Sequence, residues 1–530
     1  MKRRSLRSPH RRVRNPIPAW ARPPMAILAI VLLLASACGA RLTKAQMDAL
    51  NGSNVGAGGG SGGNVALGSN TGAGGATGQV TGGAATSPGA PTANPAAAGA
   101  SKGGVGPATG SSSRAATPAA SGGAKAGGAA ATITQANNPL AGPGGKVCTS
   151  AAPGSGPGVT ASTITVGNIA TVNGPVPGLF AGARYGAQAV ADYINSMGGI
   201  CGRRLVVNSA DDQFDQATDQ QEAASMSNSV LAFMGSFSLQ DGGISAGAPS
   251  VPDIGEALSS SRFNSAQNFS PQPEAPGYNE GEYQLLKSDP KYAAATQHMA
   301  MLVENTPQTA TTGKWEQAAL QAAGYKFVFT DNTLQPTDPT FNGDVQKMKQ
   351  AGVQGVVFQA TGTIIGQLAN AMYAAGMQVV LGNYCPSAYD PAYLKNAGPG
   401  TAGTLLSQSL SLYDGEDAAA IPMVATLDQW YSRVNPGQVP DIFAAYSWLS
   451  GLMLAQALNE SGNVSRSGLA AGLKTLTNFD GDGLAAPSNP VAKTPPSCYL
   501  FITVQNGKFV RAPESPKGFV CNPAAYYHAS

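Results

Sequence analysis

Beyond Ser162 the chain alternates short β-rich runs with segments of helical period, and no other feature restricts its fold as strongly. The run "ITVGNIA" (Ile164 to Ala170) carries β-branched residues in partial alternation and reads as a strand. After the turn-forming "TVNGPVPG", the residues Leu179, Ala183, Ala187, Val190, Ile194 and Met197 recur at spacings of three and four, which marks one face of an amphipathic helix. Gly198-Gly199 ends that helix, and "RRLVVNSADD" opens the next strand. Strand, helix and strand within about fifty residues form a βαβ unit, which implies a parallel sheet with a right-handed crossover.

The alternation continues through "VLAFMGS" (Val230 to Ser236) and the short "VPDIGEA". A second series starts at "HMAMLVE" (His298 to Glu304), followed by helix "GKWEQAALQAAGY", strand "KFVFT", helix "FNGDVQKMKQAG", strand "VQGVVFQATG", helix "TIIGQLANAMYAAGM" and strand "QVVLGNY". Two such series predict two α/β lobes. Helices follow in "AIPMVATLDQWYSRV" and "DIFAAYSWLSGLMLAQALNESG". Lastly, "CYLFITVQNGKFVR" sets two β-rich runs around Asn506-Gly507, a strong hairpin signal.

The other end of the chain has a different character. Met25 to Ala37 is apolar but only thirteen residues long, whereas a bilayer-spanning helix needs ~20. Lys2, Arg3, Arg4, Arg7, Arg11, Arg12, Arg14 and Arg22 precede it with no acidic residue. The pattern is that of an export signal, residues 1–37. The segment "LLASAC" (Leu33 to Cys38) resembles a bacterial lipobox, with Ala35 where Leu is usual. Acylation of Cys38 by several chains would anchor the mature protein durably to the cell membrane, on its extracytoplasmic side. From Asn51 to about Gly158 the sequence is rich in Gly, Ala, Ser and Pro and low in aromatics and charge. Such a tract buries too little apolar area to offset chain entropy, so 38–158 is expected to be a disordered tether with a reach of about 60 Å.

Removing the signal reverses the charge. The whole chain carries +3, and loss of the eight cationic residues ahead of Cys38 leaves about −5. A mildly acidic chain has no electrostatic footprint for nucleic acid. Its expected partners are small solutes and proteins. With Cys38 lipidated, Cys148, Cys201, Cys385, Cys498 and Cys521 remain, an odd number for disulfides in an exported protein.

Taken in order, "ITVGNIATVNGPVPG", "GAQAVADYINSMGGICGRRLVV", "ADDQFDQATDQQEAA", "MKQAGVQGVVFQATG" and "YDPAYLKNAG" resemble the type I periplasmic-binding proteins, in particular the leucine/isoleucine/valine-binding branch that serves ABC importers. The resemblance runs from about Ser162 to Cys521. It implies an α/β clam-shell of two Rossmann-like lobes joined by a three-stranded hinge, with a solute held between them. The first lobe would comprise 159–282 and 413–495, the second 283–412 and the terminal hairpin at 496–522. In that arrangement Cys148 and Cys201 lie on the first lobe and pair at one edge of its sheet. Cys498 with Cys521 is the second pairing, which leaves Cys385 outside both.

Ligands of open parallel sheets bind beyond the carboxyl ends of the strands, here "GSFSLQ", "GEALSSS", "QATGT" and "GNYCPS". By position in the family, Phe237, Ser238, Leu239, Ala257, Ser259 and Ser260 are nominated on the first lobe, with Ser238 or Leu239 where a carboxylate-binding Ser is usual. On the second lobe the family's acidic residue for an α-ammonium falls at Asn383 or Tyr384, neither of them a carboxylate, and its stacking aromatic at Thr361. An unpaired buried ammonium is costly. An amide, a carboxylate, an aromatic compound or another neutral solute is therefore expected over an α-amino acid. Phe443 and Tyr446 could supply an apolar wall.

An enzyme is disfavoured. The chain has three histidines, His10, His298 and His528, and no H-E-x-x-H or P-loop. "GNIATVNG" is not a nucleotide fingerprint. The cluster Asp211, Asp212, Asp215 and Asp219 lacks the spacing of a calcium loop, and Asp215 reads as a helix cap. No cofactor or metal is expected. The function implied is capture of a small solute and delivery to an ABC permease, the same clam-shell being also the design of a tethered sensor.

Overall fold

A computed structural model describes residues 138–273, 277–305, 307–335, 340–522 and 526–528. The export signal, Cys38 and most of the expected tether lie outside the described residues. Strand β1 (Thr163–Ile169) is followed by helix α1 (Ala181–Ser196) and strand β2 (Arg204–Ala210), which pairs with β1 in parallel over all seven residues. Ala183, Ala187, Val190 and Ile194 are fully buried on α1, the face set by their spacing. Then come α2 (Gln216–Met226), β3 (Phe233–Met234), α3 (Gly242–Gly247), β4 (Asp253–Ile254), α4 (Ser260–Phe263) and β5 (Asn268–Phe269). They complete a parallel sheet in the order β2-β1-β3-β4-β5.

Strand β6 (Gly277–Asn279) and helix α5 (Glu280–Ser288) lead to the second sheet. It is built from β7 (Met299–Glu304), α6 (Pro307–Ala322), β8 (Phe327–Leu334), α7 (Asn342–Gln350), β9 (Gly355–Gln359), α8 (Gly362–Ala374), β10 (Leu381–Tyr384), α9 (Pro391–Ala397) and β11 (Thr404–Gln408). The chain then returns to the first sheet as α10 (Pro422–Val434), α11 (Ile442–Ser461) and α12 (Arg466–Leu473). It ends with β12 (Cys498–Gln505), β13 (Lys508–Arg511), β14 (Val520–Cys521) and β15 (Tyr526–His528), the last pairing with β6. The second sheet runs β13-β12-β11-β10-β9-β7-β8, parallel except where the terminal hairpin joins β11. Asn506 (φ 52°) and Gly507 (φ 71°) both take the left-handed backbone that a two-residue hairpin turn needs.

Helix α11 is apolar nearly all round and is accordingly buried against α1 and α12. The approach to α1 is close: a Cβ on Gly186 would lie 2.4 Å from the Ala444 carbonyl oxygen. Three chain segments connect the two sheets and bond to one another. Ser411 N–H donates to Leu484 O at 2.8 Å, Ala486 N–H to Ser409 O at 2.7 Å, and the Gln272 side-chain amide to Ala486 O at 2.8 Å.

The body begins earlier than the composition implied. Leu140 is buried, Cys148 is disulfide-bonded to Cys201, and Asn459 near the end of α11 accepts the Cys148 N–H at 3.1 Å and donates to Leu140 O at 2.6 Å. Residues 138–158 are thus packed structure rather than the last part of a tether: one leucine, one disulfide and one asparagine fix a stretch otherwise too polar to fold. A second disulfide joins Cys498 to Cys521 across β12 and β14, and Cys385 belongs to neither. Among the described residues no helix is long and apolar enough to cross a membrane.

Candidate functional site

The carboxyl ends of the strands in both sheets border one cavity of about 680 Å³, within the range of small-molecule sites. Its first-lobe wall is aromatic. Phe180 stands just ahead of α1, Phe237 follows β3, and Phe443 and Tyr446 project from the first turns of α11. Ring centroids lie 4.6 Å apart for Phe180 and Phe443, 5.2 Å for Phe237 and Phe443, and 6.0 Å for the stacked Phe237 and Tyr446. Such contacts hold the rings in place before any solute arrives.

The loops that carry this wall are pinned from beneath by Arg262, which has no exposed surface. Its guanidinium makes a bidentate pair with Asp253, at 2.8 Å on each arm, and reaches Asp241 at 3.3 Å. It also donates to the carbonyls of Ser236 (3.1 Å) and Glu256 (2.7 Å). One buried cation therefore joins the loop after β3 to the loop after β4.

The second-lobe wall is acidic. Glu304 ends β7, Glu316 lies on α6 and Glu282 on α5, all bordering the cavity. Glu316 accepts from Tyr283 Oη at 3.2 Å and from the Gln359 amide at the end of β9, while Glu282 accepts from the Ser407 hydroxyl. Oε1 of Glu304 has no hydrogen-bond partner among the described residues. Burial pushes Glu282 up to about 8, with the nearby Glu316 adding to the shift and the Ser407 hydroxyl opposing it. Burial also lifts Glu304 and Glu316 to about 7 each. No lysine, arginine or histidine lines the cavity among the described residues, and no three His, Cys, Asp or Glu side chains there are grouped to hold a metal ion.

Residues 163–508 match the family model described as periplasmic binding protein. The chain belongs to this family. Its two-lobed α/β fold is that of the type I periplasmic binding proteins. Over 353 residues it is 24% identical to the Leu/Ile/Val-binding protein homolog 3 of Brucella melitensis biotype 1, covering 62% of this chain and 91% of that relative. Among solved structures it is similar to a fatty acid ABC transporter substrate-binding protein from Thermomonospora curvata, with TM-score 0.57 and 19% identity over 72% of this chain and 96% of that one. A branched chain amino acid ABC transporter from Thermus thermophilus with bound valine aligns with TM-score 0.56 and 14% identity, over 68% and 97% of the two chains. At these identities the solved structures show a shared fold.

In this periplasmic binding protein the residues nominated from sequence fall into two groups. Phe237, Leu239, Ala257, Thr361, Asn383, Tyr384, Phe443 and Tyr446 border the cavity. Ser238, Ser259 and Ser260 do not line it. Ser238 is fully buried, donating to the Asp212 carboxylate and accepting the Gln240 N–H at 2.8 Å. Ser259 caps α4 by accepting the Arg262 N–H at 3.3 Å, and Ser260 is exposed in the same turn. Asp215 caps α2, accepting the Thr218 N–H at 2.8 Å.

Asn383 and Tyr384, nominated at the family's ammonium position, border the cavity; sequence reasoning missed that carboxylates reach the same cavity from other elements. Glu304 was the legible one. An ionisable residue closing the wholly apolar run "MAMLV" has to sit at the strand's carboxyl end, where the cleft is.

Proposed function

We propose that this protein captures a small organic solute between its two lobes, outside the cytoplasm, and presents it to the membrane subunits of an ABC permease. On this reading Phe237, Leu239, Ala257, Phe443 and Tyr446 form one jaw of the site and Thr361, Asn383 and Tyr384 the other. Closure brings both jaws onto the solute, and only the closed form is recognised by the permease. Cys38 carries the lipid that keeps the protein at the membrane surface. The role is that of a binder rather than a catalyst.

The observation that supports this reading best is the cavity itself: about 680 Å³, bordered from both sheets, aromatic on one side and polar on the other. Linkage gives the test. A solute at 100 times its Kd stabilises the protein by ~2.7 kcal/mol, so a thermal-shift screen finds it, and small-angle scattering with that solute should show a smaller radius of gyration. Phe443→Ala and Tyr384→Ala, on opposite jaws, should each weaken binding. Unchanged affinity in both variants would place the site elsewhere and refute the proposal.

A further inference from the structure

The charge inventory of the cavity is one-sided. Glu256, Glu282, Glu304, Glu316, Asp390 and Asp441 border it, and no basic side chain does among the described residues. Most of these carboxyls already serve the fold. Glu256 accepts from Ser270 and from the Gln272 N–H, Asp390 caps α9 and Asp441 caps α11. Glu282 and Glu316 hold Ser407, Tyr283 and Gln359.

Glu304 differs from them. The residue is only 5% exposed, it borders the cavity, and Oε1 accepts no hydrogen bond among the described residues. A buried acceptor left unmatched is costly to the empty protein, and a donor supplied by the solute would satisfy it. A metal ion is a poor candidate for that donor, because no three ligating side chains are grouped here among the described residues. The only charged side chains an anion entering the cavity would meet are acidic, and the carboxylate of a zwitterion would find no counter-charge on any lining side chain among the described residues.

We propose that the solute is an organic cation, its ammonium or amidinium group held by Glu304, and its apolar body against Phe180, Phe237, Phe443 and Tyr446. This rests on the cleft being the binding site, as proposed above, and names the class of solute it takes.

The test compares matched probes on the full chain at pH 8.5 by calorimetry: hexylamine, phenethylamine and agmatine against hexanoate, 3-phenylpropionate, hexanamide and L-valine. At least one amine should bind about 10-fold or more tightly than its matched carboxylate and amide. Glu304→Gln should weaken that amine by about 10-fold or more, with an unchanged circular dichroism spectrum showing that the variant is folded. Binding of a carboxylate, the amide or L-valine without any amine would overturn the cation, as would a Glu304→Gln variant with full amine affinity. If that binding disappears in Phe443→Ala, the cleft remains the site and only the solute class falls. If none of the probes binds, the cation is overturned, and the cleft then stands or falls by the wider solute screen.

Discussion

Replacing Glu304 by Gln has a consequence for the empty protein that can be worked through before any solute is known. Glu304 closes a strand whose six residues are all buried, and burial lifts its pKa from the ordinary 4.5 to about 7. In the unfolded chain the same carboxyl titrates near ~4.3. Between those values the folded protein keeps a proton that the unfolded chain has released, so stability falls as pH rises. The folded state has its full advantage below the unfolded value and has lost it once pH passes the folded one. At ~1.36 kcal/mol per pKa unit, the lift amounts to roughly 4 kcal/mol by pH 8.5. Glutamine stays neutral throughout. Glu304→Gln should therefore be more stable than the natural protein by up to ~4 kcal/mol at pH 8.5 and within ~1 kcal/mol at pH 4.5. Urea unfolding followed by tryptophan fluorescence across that range measures the difference. Two stability curves that stay parallel from pH 4.5 to 8.5 would refute the reasoning, since they would mean that Glu304 titrates alike in both states.

Arg262→Met should cost about 3–5 kcal/mol at pH 7, because it leaves Asp253 and Asp241 buried without their cation. The loss should shrink in acid, where the Asp241 carboxyl, already raised by burial, takes up a proton. A loss below about 1 kcal/mol in urea unfolding at pH 7 would contradict the role given to Arg262. The Cys148–Cys201 disulfide closes a sequence separation of 53 residues, so replacing both by Ser should destabilise by about 2–4 kcal/mol; a melting temperature equal to that of the parent protein would show that 138–158 is held without it.

What the sequence disclosed followed from periodicity. The α1 face, the buried α11 and the hairpin at Asn506-Gly507 were all legible because each repeats or punctuates on a local scale. Lengths were less so. "VLAFMGS" shrinks to the two residues of β3 because Gly235 takes φ 63° and turns the chain into the loop bearing Phe237. "KFVFT" instead extends to Phe327–Leu334, since β8 is an edge strand and can continue in alternating exposure beyond the core. At the cavity, Phe237, Phe443 and Tyr446 were readable as residues at a strand end and a helix start, whereas Phe180 was missed and the serines of "EALSSS" do not line it. Their loop position suggested ligand contact, whereas Ser259 caps a one-turn helix that carries the buried Arg262. Glu282 and Glu316 lie on helices whose orientation only the packed lobe decides.

Helix α11 gives the body two functionally separate ends. Phe443 and Tyr446 stand at its beginning in the cleft wall, while Asn459, sixteen residues further on, grips the stretch around Cys148. At 1.5 Å per residue that is a rigid spacer of about 24 Å. The stretch around Cys148 is thus tied to the base of the first lobe, through a covalent bridge and a side-chain amide, a helix length away from the loops that border the cavity. On the reading proposed above, a tether entering the body at this end would leave the mouth of the cleft unobstructed.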